Sequence, residues 1–227
     1  MGTRENLLEV RERIRLAKRN APDPGEPVLL VGVTKGVAPD RIREAVDAGL
    51  TAFGENRVQE AREKVGQFKE TVRWHMVGHL QRNKAKEAVR LFHLIHSVDT
   101  LPLAEALEKE AALLGKEIPV LLQVKFQEKE TRSGVLPEDL LTLAKEVAPL
   151  AHLKLSGLMM IAPLGEAEVA RPYFRELRLL KESFEKEQIP GAAMRILSMG
   201  MTNDFEVAIE EGANLLRIGR GIFGSTK

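Results

Sequence analysis

Cysteine is absent from all 227 residues, which excludes disulfides, thiolate metal sites and a cysteine nucleophile. No run approaches the roughly 20 apolar residues of a membrane span. Residues 1–20 read as a charged helix without the apolar centre of a signal peptide. An excess of one charge is missing as well: 34 Lys and Arg stand against 33 Asp and Glu, a formal net charge of +1, and the signs are mixed along the chain. That pattern argues against nucleic acid or a membrane surface as a partner. Aromatic residues are few, with eight Phe, one Trp and one Tyr. Beside the high Lys, Arg and Glu content this leans towards a thermophile's composition and carries no functional weight. No Pro-, Gly- or Ser-rich linker, composition shift or internal repeat divides the sequence, so residues 1–227 read as a single soluble, cytoplasmic domain.

What is present is enough apolar material for a sizeable core, at 44% hydrophobic residues. Short apolar runs alternate with amphipathic stretches. The runs predict strands at Val28–Thr34, Ala52–Gly54, Arg73–Val77, Leu94–Val98, Val120–Lys125, Leu155–Met159, Arg195–Leu197 and Leu215–Ile218. Between them, apolar residues returning every three or four positions predict helices over Pro39–Ala48, Asn56–Phe68, Gln81–Leu91, Leu101–Leu114, Pro137–Val147, Glu166–Lys186 and Asn203–Glu210. Pro39 and Pro137 stand where helices open, and Gly49, Gly115 and Gly212 where they close. Runs such as VLLVGV and VLLQV are apolar on consecutive residues, as parallel strands buried on both faces are. Eight strands alternating with helices predict an α/β fold, a single (β/α)8 TIM barrel, with an open doubly wound sheet as the competing arrangement. One further helix precedes it: Leu7, Val10, Ile14 and Ala17 share a face within Arg4–Arg19, so residues 1–20 should cover the barrel.

In such a barrel the chemistry sits at the C-terminal ends of the strands. Lys35 ends the first apolar run, where desolvation would favour the neutral amine that attacks a carbonyl. The competing reading is a solvated loop lysine. After strands 7 and 8 come Ser198-Met199-Gly200-Met201-Thr202-Asn203 and Arg217-Ile218-Gly219-Arg220-Gly221. Barrels often hold phosphate there on backbone N–H groups and a helix N-terminus. Gly200 and Gly219 would let the backbone approach closely and Ser198 would add a hydroxyl; ordinary glycine turns are the alternative. Three further patterns carry less. Gly219 to Gly224 matches GxGxxG, but with three residues after it no helix or second βαβ half can follow. His75 and His79 are four apart without a helix or a carboxylate between them, a poor metal pair. The charged run Glu105–Lys116 reads as a solvated helix face.

Several stretches together are similar to a known family. They are Val31-Gly32-Val33-Thr34-Lys35, Phe53-Gly54-Glu55-Asn56-Arg57-Val58-Gln59-Glu60 and Trp74-His75-Met76-Val77-Gly78-His79-Leu80-Gln81-Arg82-Asn83-Lys84. Gly157-Leu158-Met159, Ile161-Ala162-Pro163, Leu197 to Met201, Arg217 to Arg220 and Ile222-Phe223-Gly224 continue the likeness nearly end to end. The chain resembles the pyridoxal phosphate homeostasis proteins, the YggS/PROSC-type PLP-binding proteins, whose fold is like the N-terminal barrel of alanine racemase. The resemblance implies pyridoxal 5'-phosphate (PLP) held as an internal aldimine on Lys35. It implies a phosphate held by Ser198, Gly200, Gly219 and Arg220, Arg217 facing the pyridine nitrogen, and Asn56 and His79 lining the ring pocket; Met160 and Met199 complete the cofactor-binding set.

Two departures stand out. Family members often carry Ser-Lys-Thr-Lys or a proline just after the lysine, where this chain has Gly36-Val37, so this loop is expected to differ in shape. Where many carry a strand-5 motif ending Lys-x-Gly, this chain has Lys125 and Thr131-Arg132-Ser133-Gly134, with Arg132 replacing the charge. The implied function is storage, buffering or delivery of PLP by a monomer, with PLP and apo PLP enzymes as partners and no committed catalysis or metal. The rivals are a PLP-dependent amino-acid racemase and a cofactor-free Schiff-base aldolase. A racemase needs an acid/base group opposite the lysine, supplied in relatives by a tyrosine from a second domain. Here the only tyrosine, Tyr173, is expected on the outer ring and three residues follow Gly224, which leaves His79 as the substitute.

Overall fold

The structure is a computed structural model that describes residues 2–68, 72–126 and 133–224. Eight strands form in chain order: β1 Leu29–Val33, β2 Ala52–Glu55, β3 Arg73–Met76, β4 Leu94–Val98, β5 Ile118–Val124, β6 Leu153–Met160, β7 Ala192–Ser198 and β8 Leu215–Ile218. All neighbours pair in parallel and β8 returns to β1, with Leu29 opposite Leu215, so the sheet closes into the expected barrel rather than an open sheet. The helices are α1 Thr3–Ala17, α2 Pro39–Asp47, α3 Val58–Phe68, α4 Ala85–Leu91, α5 Leu101–Leu113, α6 Pro137–Val147, α7 Ala167–Glu187, α8 Phe205–Glu210 and the single turn α9 Arg220–Phe223.

Several bounds differ from those the sequence predicts, each for a local reason. The expected helix from Gln81 opens as a 3-10 turn, Arg82–Lys84, before α4. β7 starts at Ala192, where the weak strand formers Ala192 and Ala193 are carried by pairing of Leu155 with Ala192. β5 takes in Ile118 and Pro119, which pair with Leu153 and Lys154 of β6. A one-turn helix lies inside the Gly219–Gly224 motif, where none was expected.

The first helix does not cap a complete ring. After β8 only α9 follows among the described residues, and α1 packs against α2, α8 and α9, filling the eighth position around the barrel. Its face of Leu7, Val10, Ile14 and Ala17 is buried there. Polar ties fix the register: Arg11 donates to the carbonyls of Ala48 and Gly49 at 2.8 Å each, and Asn6 Nδ2 to that of Ile222 at 3.0 Å.

The main core, with Trp74, Phe53, Phe92 and Phe174 fully buried, fills the space between strands and helices. A separate inner core of Val31, Ala52, Leu94, Leu121, Met159 and Leu215 plugs the barrel. Side chains alternate along a strand, so residues two positions further on also point inward. Those positions are Val33, Gly54, His96, Gln123, Ile161 and Arg217, with Ser198 two beyond Ile196. At His96, Gln123, Ser198 and Arg217 the barrel's upper layer is polar where branched aliphatic residues usually dominate. That change of layer puts hydrogen-bonding groups directly beneath the mouth.

Candidate functional site

Lys35 stands just past β1 in a turn closed by the Val37 N–H donating to the Thr34 carbonyl at 2.9 Å. Gly36 takes φ +67°, the left-handed conformation that the third residue of a type II turn requires. The Gly36-Val37 departure thus gives a tight, defined loop. Lys35 itself is exposed, so the desolvation expected for it is not found. It borders a cavity of about 770 Å³ at the C-terminal ends of the strands, whose wall also includes Asn56, His79, Arg217, Gly219 and Arg220.

Arg217 forms part of the floor. Its residue is only 4% exposed. Nη1 donates to Ser198 Oγ at 2.5 Å and Nη2 to the Met160 carbonyl at 2.6 Å. Among the described residues no carboxylate pairs with it directly, and burial lowers its pKa to about 10 despite the opposing field of Asp204. A buried cation with donors left over and a face on a cavity is a site for an acceptor.

Below it the hydrogen bonds continue. Ser198 Oγ lies 2.9 Å from His96 Nδ1, and His96 Nε2 lies 3.1 Å from His75 Nδ1. Arg217 can only donate, so Ser198 accepts from it and donates its own O–H to His96 Nδ1, which leaves His96 Nε2–H pointing at His75. This assignment satisfies each contact with both imidazoles neutral. Burial pushes His75 down to about 3, reinforced by the charges of His93 and Arg73, and holds the fully buried His96 well below the ordinary range.

Four expected residues are displaced from the cavity wall. Ser198 is fully buried and its hydroxyl is committed to Arg217 and His96, so it is not turned toward a phosphate at the mouth. Met160 contributes its carbonyl to Arg217, and Met199 is buried in the core between barrel and helices. Gly200 has φ +91°, and a Cβ there would lie 2.7 Å from Ala208 Cβ. Its lack of a side chain serves the packing of α8. These residues support the floor; Lys35, Asn56, His79, Arg217, Gly219 and Arg220 are the expected residues that reach the cavity.

The turns after β7 and β8 meet there, tied by the Gly221 N–H donating to Thr202 Oγ1 at 3.2 Å. Asp204 Oδ1 accepts from the Met201 N–H at 2.6 Å, and burial raises its pKa. Among the described residues the N–H groups of Thr202, Asn203, Gly219 and Arg220 make no hydrogen bond. With α9 only one turn long, these individual N–H groups, rather than the dipole of a long helix, are what an anion would meet. On the opposite wall His79 Nδ1 and Ser133 Oγ are 2.8 Å apart, Gln123 Nε2 donates to the Ser133 carbonyl at 2.6 Å, and burial raises the pKa of nearby Asp99 against the pull of His79 and Lys125. Arg132 lies outside the described residues. The nitrogens of His75 and His79 go to different partners, so the two do not form one site.

The sequence alone does not single out His96, Asp99, Gln123 and Asp204. Strand parity from Leu94 and Leu121 identifies His96 and Gln123 as inward. Asp204, directly before the α8 pattern, carries the signal of a residue at a helix start. A second cavity of about 420 Å³ at the other end of the barrel includes Arg178, Lys181, Glu182 and Glu185, which pair with one another at 2.7 Å.

The alanine racemase N-terminal domain family matches residues 6–227. A pyridoxal phosphate homeostasis protein of Aquifex aeolicus is 42% identical over 229 residues, covering 100% of both chains. The chain belongs to the pyridoxal phosphate homeostasis protein family. The Escherichia coli K12 member is 35% identical over 97% of this chain and 95% of its own. Among solved structures, PipY of Synechococcus elongatus, determined with PLP bound, superposes with a TM-score of 0.85 at 37% identity, covering 98% of this chain and 100% of that one. Alanine racemase of Clostridium difficile has a TM-score of 0.71 at 15% identity over 93% of this chain and 54% of its own, a likeness of fold alone.

Proposed function

We propose that this chain binds PLP at the barrel mouth, attached to Lys35, and stores, buffers or delivers the cofactor to apo PLP enzymes in the cytoplasm. The observation that carries the reading is Arg217, a buried cation without a direct carboxylate partner among the described residues, in the floor of the cavity that Lys35 borders. The residues fit the group. A phosphate needs several donors, and the free N–H groups of Thr202, Asn203, Gly219 and Arg220 are gathered on one wall. A pyridine nitrogen needs a donor from below, and Arg217 offers one. The family membership and the PLP bound to PipY point the same way.

When bound, PLP would supply an aldehyde open to condensation with a primary amine, with loss of water. The protein's share is to hold and aim. Lys35 supplies the amine, and its exposure suits a site that must release what it holds. Arg217 is always charged in the protein, so it disfavours a proton on a ring nitrogen beside it. That weakens the electron sink on which catalysis at an amino-acid Cα depends. Ser198, Met160 and His96 keep Arg217 in place, Met199 and Gly200 shape the turn above them, and Asn56 and His79 flank the ring space.

The phosphate should supply much of the affinity, since each charge-assisted hydrogen bond contributes about 1.5–3 kcal/mol. Calorimetric titration of the apo chain with PLP and with pyridoxal tests this. PLP should bind about 100-fold more tightly or better; equal affinities would refute the anion cradle.

A further inference from the structure

Behind the Lys35 turn, outside the cavity, lies a buried ion pair that the binding site does not use. Lys64 on α3 donates from Nζ to Glu55 Oε1 at 2.7 Å and to the Thr34 carbonyl at 2.6 Å. Thr34 Oγ1 donates to the same Glu55 oxygen at 2.5 Å. Glu55 is fully buried and the Lys64 side chain only 11% exposed. The Thr34 carbonyl therefore accepts two bonds: one from Val37 N–H closes the turn, and one from Lys64 ties that turn to α3. The Gly36 N–H reaches Glu60 Oε2 of the same helix at 3.4 Å, a weaker second tie.

We propose that Lys64 is a positioning residue for Lys35, fixing the Thr34 carbonyl and with it the direction in which the Lys35 side chain leaves the barrel wall. The inference rests on the reading of Lys35 as the attachment point for PLP. Fold stability alone does not account for the pair, because a buried ion pair is often matched or bettered by apolar side chains of similar volume. Nor is the pair optimised for stability: Glu55 Oε2 is buried with no hydrogen bond among the described residues. What the cation specifically provides is a donor to the residue before Lys35, and the reach of an amine governs how often it meets a carbonyl held nearby.

The test separates attachment from binding. Lys64→Met removes the donor, and the double variant Glu55→Gln with Lys64→Met removes it without leaving a buried carboxylate unpaired. Two probes are used on folded, full-length protein: PLP, with attachment to Lys35 followed by borohydride trapping and peptide mass spectrometry, and pyridoxine 5'-phosphate, an alcohol that cannot attach, by calorimetry. In the double variant, pyridoxine 5'-phosphate should bind within about twofold of wild type while the rate of attachment at Lys35 falls about tenfold or more. Attachment at the wild-type rate would overturn the inference. So would a parallel loss of pyridoxine 5'-phosphate binding, which would mean that the pair acts through the whole pocket. Wild-type protein that binds neither probe would instead defeat the PLP reading itself, and the inference with it.

Discussion

Acidification should unfold this protein through its barrel interior. His75 and His96 are buried and neutral, and both bind protons far more readily once the chain unfolds. Their folded pKa values are depressed, so between about 6.5 and the folded value the unfolded state holds the extra proton. The stability each contributes is full above that window and is lost as pH falls through it. Taking His75 from about 3 in the fold to about 6.5 unfolded, a drop from pH 7 to 5 costs about 2 kcal/mol, and His96, also held below its ordinary range by burial, acts in the same direction. Even the about 2 kcal/mol from His75 alone is a sizeable share of the 5–15 kcal/mol that holds a typical domain together. Asp99 and Asp204, whose pKa values burial raises, oppose this at the acidic end of the range. Urea unfolding at pH 7 and 5, at constant ionic strength, for wild type and His75→Asn, isolates the imidazole, because the carboxylates act equally in both. The asparagine side chain of this variant places an amide near the position of Nδ1 and does not titrate. The variant should lose about 2 kcal/mol of the wild-type pH dependence; an unchanged dependence would refute the account of the buried histidines.

Three other outcomes follow from the geometry. Gly200→Ala should destabilise by about 2–4 kcal/mol, from its left-handed backbone and the 2.7 Å approach to Ala208 Cβ; a thermal melt like that of wild type would contradict the packing role. Ser198→Ala leaves a donor of Arg217 and the acceptor of His96 unpaired in the barrel, so urea unfolding should show a loss of about 1–3 kcal/mol. If Ser198 instead served the phosphate alone, stability would be unchanged and only PLP affinity would fall. Holo-protein in deuterated water should exchange the Cα proton of alanine at well below about 1 s⁻¹, as NMR would follow; faster turnover abolished by Lys35→Ala would restore the racemase alternative.

The barrel is legible because its strands are short apolar runs whose parallel pairing leaves little room for polar residues. Lys35 is legible for the same reason, as the first charge after such a run. What escapes the sequence depends on parity and on placement in space. A strand 7 that ends at Leu197 puts Ser198 in the loop, facing the mouth; one more residue of strand turns it inward to Arg217. His96 sits within the apolar run LIHSV, where only the inward position of Leu94 shows which way its ring points. The periodicity of α1 identifies its apolar face but not what that face covers, and its place as the eighth helix follows from the shortness of α9. Gly200 and Gly219 look alike in sequence, yet the first is required by its backbone and by α8 while the second, at φ −104°, borders the cavity without such strain.

The attachment of PLP to Lys35 is tested most directly by loading the purified chain with PLP, reducing with borohydride and mapping the modified peptide by mass spectrometry. The account predicts the pyridoxyl mass on Lys35, with Lys35→Ala unlabelled yet retaining affinity for pyridoxine 5'-phosphate through the anion cradle. A label on another lysine in the wild type, or an unchanged absorption spectrum in Lys35→Ala, would contradict it.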